Sequence, residues 1–312
     1  MTKKERWGRP YKDTRDWTIY NDHLVRRGEF YLSLEFVDHW EDYLYQMNAG
    51  KRGHPFQYPD LFIQWMACIH LFLHMPYRQM ERFTRKLSLF VPGLQSADYT
   101  TLFRRIRNLD LSLQVNPEFL SRDVVIAVDS TGIKVTNRGE WMREKWRVRR
   151  GWIKVHTMID VETGQILGLE VTDESLQDDS LFTPLLDQAE SLCGSEHHIH
   201  RVLGDGADDR NHVSNIIEQR KIVSGIKTRD DASTRSRGSA YRAECVRMKR
   251  NSGGYRRWAE ETGYGQRWKI EGVYSAVKRI FGESVQSSAR EGMMRKVMMK
   301  FQCYNMLVAM TE

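Results

Sequence analysis

The chain has 312 residues, 40% hydrophobic and 29% charged, with Lys+Arg 48 against Asp+Glu 41, a formal charge of +7 and a pI of about 9.2. That length and apolar content fit one large folded domain or two ordinary ones, and exclude a disordered chain. The basic excess is mild, so its distribution decides its meaning: clustered cations point to a polyanionic partner.

The cysteines Cys68, Cys193, Cys245 and Cys303 form no CxxC pair. This excludes a zinc signature and a disulfide framework and suits a reducing, intracellular setting. The N-terminal "MTKKERWGRP" has no apolar signal core. The run "LFIQWMACIHLFLHM" at 61–75 carries Gln64, His70 and His74 and is too short to span a bilayer, so it reads as a core helix and no membrane partner is expected.

Residues 1–115 read as an all-α N-terminal region. "SLEFVDHWEDYLYQM" (33–47) has helical apolar spacing with Ser33 in the N-cap position, and the next helix starts on a capping Asp60. "PYRQMERFTRKLSLFV" forms an amphipathic helix stopped by "PGL", and "SADYTTLFRRIRNL" (96–109) forms another that exposes Arg104 and Arg105. Two short helices with a basic second member match a DNA-binding helix-turn-helix, and equally any amphipathic helix pair.

From residue 116 the texture changes. "RDVVIAVDSTGIKV" (122–135) is a β-branched strand, and "GWIKVHTMIDVETGQILGLEVTD" (151–173) is two strands turning at Glu162-Thr163-Gly164. A helix over 178–192, a strand ending on Asp205, a helix and a strand over 221–227 follow. Three strands, helix, strand, helix, strand is an α/β domain with a mixed sheet. Residues 228–264, rich in Arg, Ser and Gly, read as an irregular basic excursion, and helices over 265–281 and about 291–310 close the chain.

Asp129 and Asp205 stand at the C-terminal ends of predicted strands, where open α/β sheets bind ligands. Either acid alone also fits a helix cap. Tyr264, Arg267, Glu271 and Lys278 lie 3, 4 and 7 residues apart, which at about 100° per residue keeps them on one helix face. Opposite them Trp268, Val273 and Ile280 are placed to pack against a sheet. Arg267 and Glu271 also fit a simple i,i+4 ion pair. Converging carboxylates call for a cation, and oxygen ligands suit Mg²⁺ or Mn²⁺. His156 and Asp160 lie on the second strand, and His156 fits a residue facing the site as well as a packed or surface one.

The four-point pattern Tyr264, Arg267, Glu271, Lys278, with "VVIAVDSTGIKV" around Asp129 and "RVLGDGADD" around Asp205, resembles the DDE-type transposases of prokaryotic insertion sequences, in the group named after insertion sequence five. The resemblance covers roughly residues 55–310. It implies a ribonuclease H-like catalytic domain over 116–312 with a basic insertion at about 228–260. It implies Asp129, Asp205 and Glu271 as catalytic residues and ligands of two divalent cations, Asp129 bridging both. Asp208 and Asp209 are nearby alternatives to Asp205. It implies DNA contacts for Tyr264, Arg267 and Lys278, where Tyr264 stacks on a base or simply packs. Trp141, Trp146 and Trp152 interleave with Arg143, Arg147, Arg149 and Arg150, as a DNA contact or a hairpin's packing face.

The expected activity is phosphodiester hydrolysis at an element end, then attack of the freed 3′-OH on target DNA. The expected partner is double-stranded DNA, bound by a homodimer or larger synaptic assembly in a prokaryotic cytoplasm at the nucleoid. The rival readings are an inactive DNA-binding regulator and a nuclease of the same fold that cleaves without joining.

Overall fold

The computed structural model describes residues 5–6, 9–10, 16–26, 28–110, 112–135, 152–173, 178–287 and 289–309. The first third is helical: α1 (Trp17–Arg26), α2 (Trp40–Asn48), α3 (Asp60–Phe72), α4 (Tyr77–Leu87) and α5 (Tyr99–Asn108). The apolar run at 61–75 forms the largely buried helix α3 as far as Phe72, as its composition predicts, and residues 73–75 follow the helix.

The sheet starts as an antiparallel meander, β1 (Asp123–Val135), β2 (Trp152–Asp160) and β3 (Ile166–Asp173). On the other side of β1, β4 (His198–Gly204) and β5 (Val223–Ile226) add in parallel, giving the order β3-β2-β1-β4-β5. A short β6 (Ser284–Val285) pairs with the far end of β1. This is the mixed α/β sheet expected from the order of strands and helices. The β2–β3 turn falls where predicted: Asp160 accepts from the Thr163 N–H and hydroxyl, both at 2.8 Å, and Gly164 takes φ +76°.

Alternation along β1 builds two cores. Val124, Ile126 and Val128 face α6 (Phe182–Cys193) and α7 (Asn211–Gln219). Ala127 faces the layer of α10 (Trp268–Phe281) and α11 (Arg290–Ala309). Asp129 continues the Ala127 face, since side chains two residues apart on a strand share a side. Helix α6 lies so close to β3 that a Cβ on Gly168 would stand 2.7 Å from the Leu185 carbonyl oxygen.

The N-terminal helices share the second core with the sheet. The Phe72 and Phe281 rings are 4.7 Å apart, and the unbonded Cys68 and Cys303 sulfurs 3.2 Å. Buried Asn305 ties the join near residue 115 to the hairpin: its amide donates to the Gln114 and Ile166 carbonyls at 2.8 and 2.9 Å, and its oxygen accepts from Ile166 N at 2.6 Å.

Several local expectations are corrected. Ser33 caps no helix: residues 29–32 and 35–37 form 3₁₀ turns, Phe36 buries against Phe62 and Trp65, and α2 starts only at Trp40. Pro59 precedes α3, so Asp60 is its first residue and pairs with Arg105 instead of capping. Residues 88–98 between α4 and α5 form a longer connection than the roughly three-to-four-residue turn of a helix-turn-helix. The excursion after β5 is largely helical: α8 (Ala240–Asn251), capped by the Ser239 hydroxyl, and α9 (Tyr255–Thr262).

Lys300 of α11 is buried, and its amine donates to the Gly282 and Ser284 carbonyls at 2.9 and 2.6 Å. Burial, with Lys296 nearby, lowers its pKa from 10.5 to about 8. Between those values the unfolded chain holds a proton that the folded chain has lost, so stability rises with pH across that window. A neutral amine still has hydrogens for both carbonyls. Urea denaturation of wild type against Lys300→Met should show the rise in the wild type and its loss in the variant.

Candidate active site

Parallel pairing of β1 with β4 sets the central geometry. Ala127 stands opposite Leu203, so two residues further on Asp129 comes level with Asp205, which directly follows β4. The expected strand end at Asp129 is corrected: β1 runs on to Val135, so Asp129 lies within the strand, at the level where the shorter β4 stops. Asp129 Oδ1 accepts from Ser130 N at 2.8 Å, and Asp205 Oδ1 from Ala207 N at 2.6 Å.

Glu271 arrives from the first turn of α10 and its side chain is 63% exposed. Between it and Asp129 lies Arg267. One guanidinium nitrogen donates to Asp129 Oδ2 at 2.9 Å and the other to Glu271 Oε1 at 3.3 Å. Burial raises the Asp129 pKa above its ordinary value; the Ser130 N–H and Arg267 work against that shift, and the charge of Asp205 adds to it. Desolvation works against the Arg267 charge, but Asp129, Tyr264 and Asp205 outweigh it and hold the guanidinium protonated. Tyr264 is half-buried and packs on Trp258 at 5.1 Å.

Sequence reasoning missed Tyr274. Its hydroxyl donates to the Asp129 carbonyl oxygen at 2.7 Å and lies 2.8 Å from Thr157 Oγ1, locking α10 onto β1 and β2. The only signal was its position one turn after Glu271, which reads as core. Lys278 reaches the sheet one turn further on and donates to Thr131 Oγ1 at 2.8 Å. Trp268 is 64% exposed and does not pack against the sheet; Ile270, Val273, Tyr274, Val277 and Phe281 form the buried face of α10. The helix starts at Trp268, after a 3₁₀ turn over Tyr264–Arg267, which shifts the inward stripe from the one extrapolated at helical spacing.

The rival acids have other partners. Asp209 is 1% exposed at its side chain and takes a two-pronged bond from Arg242 at 2.6 and 2.7 Å, plus the Arg229 N–H at 2.8 Å. Asp208 is buried beneath Gly204. His156 is buried and lies 3.0 Å from Thr172 Oγ1. Arg105 pairs with Asp60 at 2.6 Å and stacks on Phe56, a structural role, while Arg104 is exposed on α5. Trp152 lies over Gly132. Trp141, Arg143, Trp146, Arg147, Arg149 and Arg150 lie outside the described residues.

Among the described residues no three His, Cys, Asp or Glu side chains close around a common point. The donor chemistry nevertheless fits a hard divalent cation. Asp129 and Asp205 bring like charges to one edge, where a cation relieves the repulsion, and Glu271 shares the Arg267 guanidinium with Asp129.

Two family models described as "Transposase DDE domain" match the chain, over residues 25–138 and 120–306. Among solved structures, the piggyBac transposase synaptic complex with hairpin DNA is similar at 10% identity and a TM-score of 0.42, covering 92% of this chain and 74% of that one. The Drosophila P element transposase strand transfer complex is similar at 12% identity and a TM-score of 0.30, covering 63% of this chain and 47% of that one. The second family match alone spans more than half of the chain, and it runs through every acid of the edge just described. The chain therefore belongs to the DDE transposase family.

Proposed function

We propose that Asp129, Asp205 and Glu271 are the catalytic carboxylates of this transposase and hold two divalent cations, Mg²⁺ or Mn²⁺. The carrying observation is the level placement of Asp129 and Asp205 on adjacent parallel strands, with Glu271 brought alongside by α10. The substrate is double-stranded DNA at an element end, and the second substrate is target DNA. Bound cations supply Lewis-acid stabilisation of charge on the reacting phosphoryl oxygens.

The chain's own residues do the positioning. Asp129 and Asp205 are fixed by backbone N–H donors and so present their remaining oxygens at a set angle. Lys278 and Arg267 stand beside them as phosphate partners, Arg267 through a planar fork suited to phosphate. Arg229, bonded to the Gly206 carbonyl just past Asp205, and the exposed Arg247, Arg250, Arg256 and Arg257 of α8 and α9 would meet a DNA backbone. Both hydrolysis and 3′-OH attack are in-line displacements at phosphorus, so one constellation serves both steps.

Nicking of supercoiled plasmid in Mn²⁺ or Mg²⁺, followed by joining of a labelled 3′ end, tests the proposal. Nicking without joining would favour a simple nuclease, and neither activity would favour an inactive regulator.

Tyr274 is a positioning residue in this scheme. Tyr274→Phe loses the bond to the Asp129 carbonyl and should cost about 1 kcal/mol of stability. It should also raise the Mn²⁺ needed for half-maximal nicking about tenfold, as loss of a group that orients a ligand does. A Mn²⁺ titration at constant DNA reads this out.

A further inference from the structure

We propose that Arg267 is a built-in counter-cation that keeps divalent metal out of the acid edge until DNA draws its guanidinium away. This rests on the reading that the three acids hold the metal. Three observations carry it. The guanidinium spans Asp129 Oδ2 at 2.9 Å and Glu271 Oε1 at 3.3 Å, standing between two of the proposed ligands. With the Ser130 N–H on Oδ1, both oxygens of Asp129 already accept a hydrogen bond. The side chain is only 19% exposed, so it is a placed charge and not a solvated one.

A divalent cation entering beside that guanidinium meets a like charge and finds two of its ligands engaged. For the metal to bind, Arg267 must let go of Asp129 and Glu271. A guanidinium leaving a carboxylate needs another anion, and its fork matches a phosphate in the same way. DNA phosphate is the anion at hand. Metal and DNA then favour each other by the same factor, because each is stabilised when Arg267 is off the acids. The device keeps the metal-loaded acids from forming until a substrate backbone is present.

The test measures Mn²⁺ binding, not catalysis, by paramagnetic resonance titration of the full chain without DNA and with a short duplex of arbitrary sequence. Wild type should bind Mn²⁺ weakly alone and about tenfold more tightly with duplex. Arg267→Gln should bind Mn²⁺ at least about fivefold more tightly than wild type without DNA, and should gain less from duplex. Arg267→Lys keeps the charge but cannot span both acids, so it should fall between them and carries the test if the glutamine variant does not fold. DNA-free Mn²⁺ affinity in both variants equal to or weaker than wild type would overturn the proposal. Asp129→Asn with duplex present is the control for the underlying reading: if it then binds Mn²⁺ like wild type with duplex, the acids are not the metal ligands and that assignment fails by itself.

Discussion

Asp129→Asn, Asp205→Asn and Glu271→Gln should each lower plasmid nicking by on the order of 10³-fold or more, the scale seen when one directly placed electrostatic partner of a transition state is removed. At about 1.4 kcal/mol per factor of ten, that is about 4 kcal/mol of transition-state stabilisation. The folded state should survive the changes. Asp129 is charged against a desolvation cost that Asp205 adds to, so an uncharged isostere removes a burden as well as an ion pair with Arg267. Glu271 is largely exposed and its removal leaves no cavity. Melting temperatures within a few degrees of wild type are therefore expected alongside the lost nicking, the trade usual for functional carboxylates. Asp208→Asn is the informative comparison. Asp208 is the nearby acid that the sequence leaves open, but it is buried beneath Gly204, off the exposed edge. Its variant should nick within a few-fold of wild type wherever it folds. Loss of nicking in a folded Asp208→Asn, with Asp205→Asn active, would move the second carboxylate of the site.

Arg242→Ala should destabilise the protein by about 3–5 kcal/mol, because it strips the partner from a buried charge. Asp209 is 1% exposed at its side chain, and Arg242 satisfies both of its oxygens. Without Arg242 only the Arg229 N–H remains of these bonds. The pair also fastens α8 to the loop after β4, so its loss should loosen the segment that follows Asp205. Urea denaturation measures the stability, and amide exchange in α8 the loosening. The double variant Arg242→Met/Asp209→Leu should recover most of the loss, since removing both partners leaves no uncompensated charge. A double variant as unstable as the single one would show that the pair does more than neutralise itself.

The parts of this fold legible in the sequence are those whose cause is local. β1 is written in "VVIAV" and the hairpin in Glu162-Thr163-Gly164, because burial demands β-branched runs and the turn demands a positive φ. Asp129 and Asp205 were visible because a carboxylate straight after an apolar run changes the pattern abruptly, although β1 itself continues past Asp129 to Val135. Glu271 was visible through the spacing of its neighbours. What escaped depends on contacts across the chain. Helices α8 and α9 bury only Ala243, Val246 and Trp258, too little to give an apolar period, and they are held by pairs such as Arg242 with Asp209. Tyr274 looks like any core aromatic until its hydroxyl is seen on the Asp129 carbonyl. Arg267 reads as a helix-surface cation, and only the meeting of α10 with β1 shows it engaged with the acids. Trp268 misled because the helix begins one residue after Arg267 and turns that ring outward.

The central claim is that the sheet edge at Asp129 and Asp205 is where divalent metal binds. Anomalous diffraction from crystals of the protein–DNA complex grown with Mn²⁺ tests it most directly. The expected result is a peak shared by Asp129 and Asp205, with Glu271 turned toward it and Arg267 displaced onto a phosphate. A peak at Asp208 or Asp209, or none at this edge while Mn²⁺ supports nicking, would contradict the assignment.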